Sequence, residues 1–355
     1  MATEFGTNTA WGENLQPSTV PVELPLDQDI RWIRVLLKSV DAPSDWKITI
    51  RDALDRPLQS ISSAQLEQNR PFWTDRLPTN ALNLFLEAPH SSPTIRLMEY
   101  VAISREAKRP YYSIQGEKEQ WVDLFRADMD PFYRRKGDAI GMFIGHSGSN
   151  VSGFKVWTCS GFVVANKPKV LFVTNDHCGG PWSAADRWTA GVCENATIDF
   201  SWDGDAVGRE YSCKDVLRDP ANDLAVLELA SNRIEAPPNI LALRETSLQD
   251  EPVSIIHHPA SLAKQISQNC QGVTKAAEAA GTVNLTRDFA HRCDTEGGSS
   301  GAPVLDDHGL VVGIHHLGFQ KNAAGTCDMF NKAINVSYLI GLLKSKQALS
   351  GYDVQ

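Results

Sequence analysis

The residues that could do chemistry gather late in this chain of 355 residues. In Cys293-Asp294-Thr295-Glu296-Gly297-Gly298-Ser299-Ser300-Gly301-Ala302-Pro303-Val304, small residues surround two serines and an apolar run follows. Glycine lets backbone N–H groups turn toward one point, so a serine oxygen and an anion-stabilising pocket can share one tight turn. A serine hydroxyl is a poor nucleophile near neutral pH unless a positioned base takes its proton. The rest of the chain must then supply a histidine and a carboxylate to orient it. Two segments qualify. Leu171-Phe172-Val173-Thr174-Asn175-Asp176-His177-Cys178 reads as a strand ending in a histidine, and Asn222-Asp223-Leu224-Ala225-Val226-Leu227 as an aspartate opening an apolar run.

In the order His177, Asp223, Ser300, these segments resemble the chymotrypsin/trypsin superfamily of serine endopeptidases, particularly its bacterial glutamyl- and lysyl-endopeptidase-like branch. The resemblance covers about residues 139–345. It implies an all-β, chymotrypsin-like double β-barrel and the roles established for that superfamily. His177 would be general base and then general acid. Asp223 would fix its tautomer and stabilise the imidazolium, and Ser300 would attack the scissile carbonyl. The backbone N–H groups of Gly298 and Ser300 would form the oxyanion hole. Asp176 adjoins His177 and is poorly placed to orient its ring. Cys159–Cys178 fits the family's disulfide beside the histidine. Cys270–Cys293 is a plausible second bridge and Cys193–Cys213 a weaker third, while a Cys293–Cys327 bond competes with the second.

The pocket residues are open to two readings. Asp294 lies six residues before Ser300, where trypsin-like enzymes place the aspartate that pairs with a P1 Arg or Lys; a buried carboxylate selects a cation strongly. Val311-Val312-Gly313-Ile314-His315-His316-Leu317-Gly318 should form the other wall, and period-two alternation lets only one of His315 and His316 face substrate. Glutamyl relatives use a histidine there to receive a carboxylate. Basic P1 through Asp294 is the favoured expectation and acidic P1 through a histidine the alternative. Ser299 replaces the aspartate that many trypsin-like enzymes carry before the nucleophile, so activation by ion-pairing a new N-terminus is excluded. Gly297-Gly298-Ser299-Ser300-Gly301 also satisfies the G-x-S-x-G elbow, but that fold needs its Asp and His downstream. His146, His257, His258, His291 and His308 lack comparable context and read as surface or loop residues. A non-catalytic protein keeping the protease fold is the reading from another class, although no triad member is missing.

The elements that would hold these groups are mostly short strands. Residues 1–28 read as an extended lead-in. Strand-like runs at 30–37, 46–50, 81–86 and 95–104 make residues 29–107 a small β-sandwich, an accessory or pro-domain. Apolar residues at 121, 122, 124, 125 and 129 suggest a helical face over 114–129, which Asp130-Pro131 would stop, so 108–136 reads as a helical connector. In 137–355 strands return near 139–144, 157–164, 170–174, 196–201, 224–229, 252–257, 282–285, 302–305 and 310–316. A helix from Val336 to about Leu349 follows. Many strands with few helices point to barrels rather than a parallel α/β sheet.

Bulk properties narrow the partners. A formal charge of −9 with no compensating basic run argues against nucleic acid. No apolar stretch approaches the roughly 18–20 residues that span a bilayer. The start lacks a signal peptide, and the seven cysteines avoid the first 158 residues and lack paired zinc-site spacing. They read as disulfides of a secreted or periplasmic protein whose signal has been removed. The expected partner is a protein or peptide substrate, with the N-terminal domain able to contact the protease domain. No metal or organic cofactor is implied.

Overall fold

A computed structural model describes residues 3–10, 14–15, 22–23, 30–40, 45–65, 71–90, 93–104, 112–146, 156–180, 183–189, 191–202, 210–230, 238–274, 286–319 and 330–345. The chain divides into two compact units. One comprises Phe5–Lys108 with Gly148–Val156; the other comprises Met1–Glu4, Arg109–Ser147 and Trp157–Gln355.

The first unit is a β-sandwich. Ile30–Ser39 and Ile95–Ser104 pair antiparallel at the centre of one sheet, with Pro71–Trp73 beyond the former. Lys47–Arg51 lies between Asn83–Glu87 and Pro57–Ser62 in the other. Alternate residues Ile33, Val35, Leu37, Ile48, Ile50, Leu84 and Leu86 point into one shared core, as a pleated, half-buried strand requires. The extended lead-in expected over 1–28 instead contributes Thr3–Ala10, paired with Ile95–Ser104. That strand carries no apolar alternation; its partner's backbone supplies the structure, which composition cannot reveal.

The second unit holds two closed six-stranded barrels. The first is built from β1 (Ile140–His146), β2 (Val156–Ala165), β3 (Val170–Thr174), β4 (Thr197–Asp199), β5 (Glu210–Asp219) and β6 (Leu224–Ala230). Its order is β1-β4-β5-β6-β3-β2, with β2 returning to β1. The second comprises β7 (Pro252–His257), β8 (Gln265–Val273), β9 (Asp288–His291), β10 (Pro303–Leu305), β11 (Val311–Leu317) and β12 (Asn331–Asn335). Its order is β8-β7-β10-β11-β12-β9, and β9 closes onto β8. This is the chymotrypsin-like double barrel, with a helix, Val336–Ser345, after the last strand. The polar strands β5, β8 and β12 were not legible from alternation. The run expected near 282–285 lies outside the described residues; β9 is the strand in that part.

Alternation explains how the barrels hold together. Phe172 points into the first barrel with Phe143, Trp157 and Ile198. Its neighbours Leu171 and Val173 point to a second core that also takes Ile256, Leu305, Ile314 and Ile334 from the other barrel. β2 is buried along its whole length, its polar Thr158 and Ser160 included.

The helical connector needs correction. Val122–Asp123 is a short strand on Gln265–Ile266, and turns follow it. The Asp123 side chain accepts the Phe125 N–H at 2.7 Å, a local bond that competes with the helix. Asp130-Pro131 does not stop a helix but starts one: Asp130 caps Pro131–Gly137 by accepting the Phe132 N–H, with Pro131 in the first turn. The apolar residues of the expected helical face are still used, since Leu124 and Met129 enter the core shared by the barrels.

Candidate active site

Three elements converge on the serine turn. Ser160 of β2 clamps it: the Ser160 N–H donates to the Ser300 carbonyl at 2.8 Å, and the Ser160 hydroxyl donates to the Gly298 carbonyl at 2.8 Å. Gly298 and Gly301 have φ of +97° and +87°, which L side chains rarely adopt. A Cβ on Gly301 would lie 2.2 Å from the Ser160 carbonyl oxygen. The glycines are therefore required twice, by conformation and by close approach. The N–H groups of Ser299 and Gly301 donate to Glu296 and His315 carbonyls. Those of Gly298 and Ser300 form no hydrogen bond to a described residue.

His177 stands on a short turn, Asp176–Gly179, just after β3. The disulfide Cys159–Cys178 ties that turn to β2, and Cys178 Sγ lies 4.0 Å from the Ser300 carbonyl oxygen. Asp223, at the start of β6, holds His177 with both carboxylate oxygens. Oδ1 accepts the His177 backbone N–H at 2.9 Å, and Oδ2 meets ring Nδ1 at 2.8 Å. His177 Nε2 forms no hydrogen bond to any described residue, Ser300 Oγ included. Asp223 itself has φ of +54°, a costly conformation for a non-glycine residue. Its carbonyl is pinned by the Asp176 N–H and the Asn175 side chain.

The electrostatics follow from burial and pairing. Burial pushes His177 below the ordinary histidine value, against the pull of Asp223. Asp223 sits well below the usual carboxylate range: burial would raise it, but His177 and His316 outweigh that cost. Near neutral pH the pair is a neutral imidazole on a carboxylate. Asp176 is spent elsewhere, on Arg218 at 2.7 Å and Arg187 at 3.2 Å.

The pocket residues fall differently from expectation. Asp294 is buried, and both its oxygens are taken: Oδ1 accepts the Gln115 N–H at 2.7 Å and Oδ2 the Gln120 N–H at 2.8 Å. Tyr112–Ser113 pairs with Thr295–Glu296. The Ser113 hydroxyl accepts the Phe319 N–H at 2.9 Å, and a Cβ on Gly318 would come within 2.2 Å of that oxygen. Residues 112–120 thus bridge Asp294 and Gly318, the two proposed pocket sides. His315 and His316 point apart, as alternation requires. His315 Nδ1 lies 3.1 Å from His291 Nε2. His316 leaves the pocket wall and meets Asp223 Oδ2 through Nδ1 at 3.2 Å. His257, His258 and His291 are buried, not on the surface; His257 Nδ1 lies 2.8 Å from the Ser299 hydroxyl. The side chain of His146 lies outside the described residues.

Cys193–Cys213 and Cys270–Cys293 are bonded as well. The second bond uses Cys293, so the competing Cys293–Cys327 bridge does not form; Cys327 lies outside the described residues. No described helix is long and apolar enough to cross a membrane, and three disulfides fit an oxidising compartment.

Parts of the chain are similar to known proteins. The chain is 23% identical over 190 residues to Protease Do-like 5, chloroplastic, of Arabidopsis thaliana, covering 53% of this chain and 54% of that protein. It is 28% identical over 181 residues to Secreted RxLR effector protein 73 of Plasmopara viticola, covering 47% and 42%. The chain thus spans about half the length of the curated relatives it matches. Among solved structures, the active form of the Rv3671c protease from M. tuberculosis superposes with a TM-score of 0.44 at 17% identity, over 63% of this chain and 86% of that one. The inactive form gives a TM-score of 0.42 at 18% identity, over 61% and 92%. Residues 159–314, which carry His177, Asp223 and Ser300, match the family model of the trypsin-like peptidase domain.

Proposed function

We propose that this chain is a serine endopeptidase that cuts peptide bonds through His177, Asp223 and Ser300 and an acyl-enzyme. The observation that carries the reading is the grip of one carboxylate on both the backbone and the ring of His177. With Nδ1 held by Asp223, the tautomer carries its proton there, and Nε2 is left as a base. In the first step Nε2 takes the Ser300 Oγ proton as Oγ adds to the scissile carbonyl. The carbonyl oxygen becomes an oxyanion that accepts the N–H groups of Gly298 and Ser300. The imidazolium, stabilised by Asp223, then gives its proton to the departing amine. Water repeats the sequence on the ester: it loses a proton to Nε2, and Ser300 recovers one on release of the acid.

The P1 preference has two readings with different structural demands. Cleavage after Lys or Arg uses the Asp294 carboxylate, which must first exchange the Gln115 and Gln120 amides for a cation. Cleavage after Glu uses His315, which must likewise give up its contact with His291. The three disulfides support a secreted or periplasmic setting.

Peptides differing only at P1, offered to wild type and Ser300→Ala, test the assignment. Turnover after Lys or Arg, lost in Ser300→Ala, supports the basic reading, and turnover after Glu supports the acidic one. No peptide or ester turnover by folded wild type would leave a non-catalytic binding protein on a protease fold.

A further inference from the structure

Behind the proposed base lies a second charged line that the triad does not require. Asp223 Oδ2 is shared between His177 Nδ1 at 2.8 Å and His316 Nδ1 at 3.2 Å. The other nitrogen of His316 faces another carboxylate, Nε2 lying 3.3 Å from Asp288 Oδ2. Asp288 of β9 is paired through both oxygens with Arg287. Arg287 in turn donates to the Ala221 carbonyl at 3.2 Å, two residues before Asp223, and so closes a ring of contacts. Charges alternate along it: carboxylate, imidazole, carboxylate, guanidinium.

The chemistry of imidazole fixes the state of His316. The neutral ring has one N–H and one lone pair, and only the imidazolium donates from both nitrogens. Nδ1 is hydrogen-bonded to Asp223, whereas Nε2 lies close to Asp288 Oδ2 without the geometry of a hydrogen bond; a lone pair that close to a carboxylate would still be repelled, so the two carboxylates together favour the cation. Burial opposes that charge, but Asp223 and Asp288 outweigh it, and His316 is held above the ordinary histidine value. The competing cation is Arg287, which holds both oxygens of Asp288 and so weakens that carboxylate's hold on the ring; the nearby histidines add none. Burial holds His315 and His291 neutral. Lys332 of β12 acts on His291, and Tyr338 of the C-terminal helix acts on Arg287.

We propose that His316 is a positioning residue for the reaction, fixing Asp223 Oδ2 between two rings and placing a positive charge behind the base, so that Ser300 stays reactive at more acidic pH. The proposal rests on reading His177, Asp223 and Ser300 as the triad. The two ring nitrogens share one oxygen, so they are no more than about 6 Å apart by the sum of the two contacts. A unit charge at that range opposes a second proton on His177 by roughly one to two pH units.

The test uses a fluorophosphonate, which reports the serine without knowledge of P1. Its rate of labelling is measured against pH for the full chain and for His316→Gln, which keeps a donor for Asp223 but no charge. The acid limb of the variant is expected to move up by about one pH unit or more. An unchanged limb with a lower plateau would mean a packing role only and would overturn the proposal. Unlabelled wild type would instead defeat the triad reading. Should the variant not fold, nitrogen-15 histidine NMR of wild type decides: the proposal expects both ring nitrogens of His316 protonated at pH 7, and one unprotonated nitrogen there would overturn it.

Discussion

Ser299 shows how one side chain can secure the serine turn without an ion pair. Its hydroxyl accepts the Glu296 N–H at 3.1 Å and meets His257 Nδ1 at 2.8 Å. His257 is pushed down to about 3, by burial first and then by His258 and His291. The contact is therefore neutral over the whole physiological range. Linkage gives a testable sign. The unfolded chain, with histidine near 6.5, binds this proton before the folded one does. His257 thus contributes stability fully above about pH 6.5 and loses it as pH falls toward 3. Urea unfolding between pH 6.5 and 4 should show a shallower fall in stability for His257→Gln than for wild type; equal slopes would contradict the burial of an uncharged ring. The proposed triad residues each sit in a local signal of the sequence: a histidine at a strand end, an aspartate at a strand start, a serine among glycines. The buried histidines were not legible, because histidine has no burial signature of its own and their partners are distant in sequence.

At the scale of elements, the segment 112–120 changes what the pocket residues mean. It adds Tyr112–Ser113 beside Thr295–Glu296, caps Asp294 with two amides and fills the space at Gly318. Hydrogen bonds to a carboxylate contribute about 1.5–3 kcal/mol each, so a cationic side chain must compete with a bound strap. Gly116–Gln120, the turn of that strap, is exposed. Cutting the chain there, at an engineered site for a sequence-specific protease, should raise turnover of Lys and Arg peptides about tenfold or more. Unchanged turnover would show that the strap stays or that Asp294 does not read P1. The apolar residues of 121–129 are visible in the sequence, but their spacing fits a helix that does not form there. Periodicity records which residues are buried, and here Asp123 bonds and pairing with β8 chose the backbone.

For the whole molecule, the barrels were readable because most of their strands alternate or run apolar, and short turns separate them. The strands of the N-terminal sandwich were readable for the same reason, apart from the polar strand Thr3–Ala10. The boundary was harder. The compact unit with the barrels takes in Arg109–Ser147, since Leu124 and Met129 belong to the barrels' core; a cut at residue 136 would remove that packing. A carboxylate holds His177, and the disulfide beside that histidine lies against the Ser300 carbonyl. Fluorophosphonate labelling of the full chain, with the modified residue located by peptide mass spectrometry, tests the proposed triad most directly. The account predicts one adduct, on Ser300, absent in Ser300→Ala; an adduct on Ser299, or equal labelling of Ser300→Ala, would contradict it.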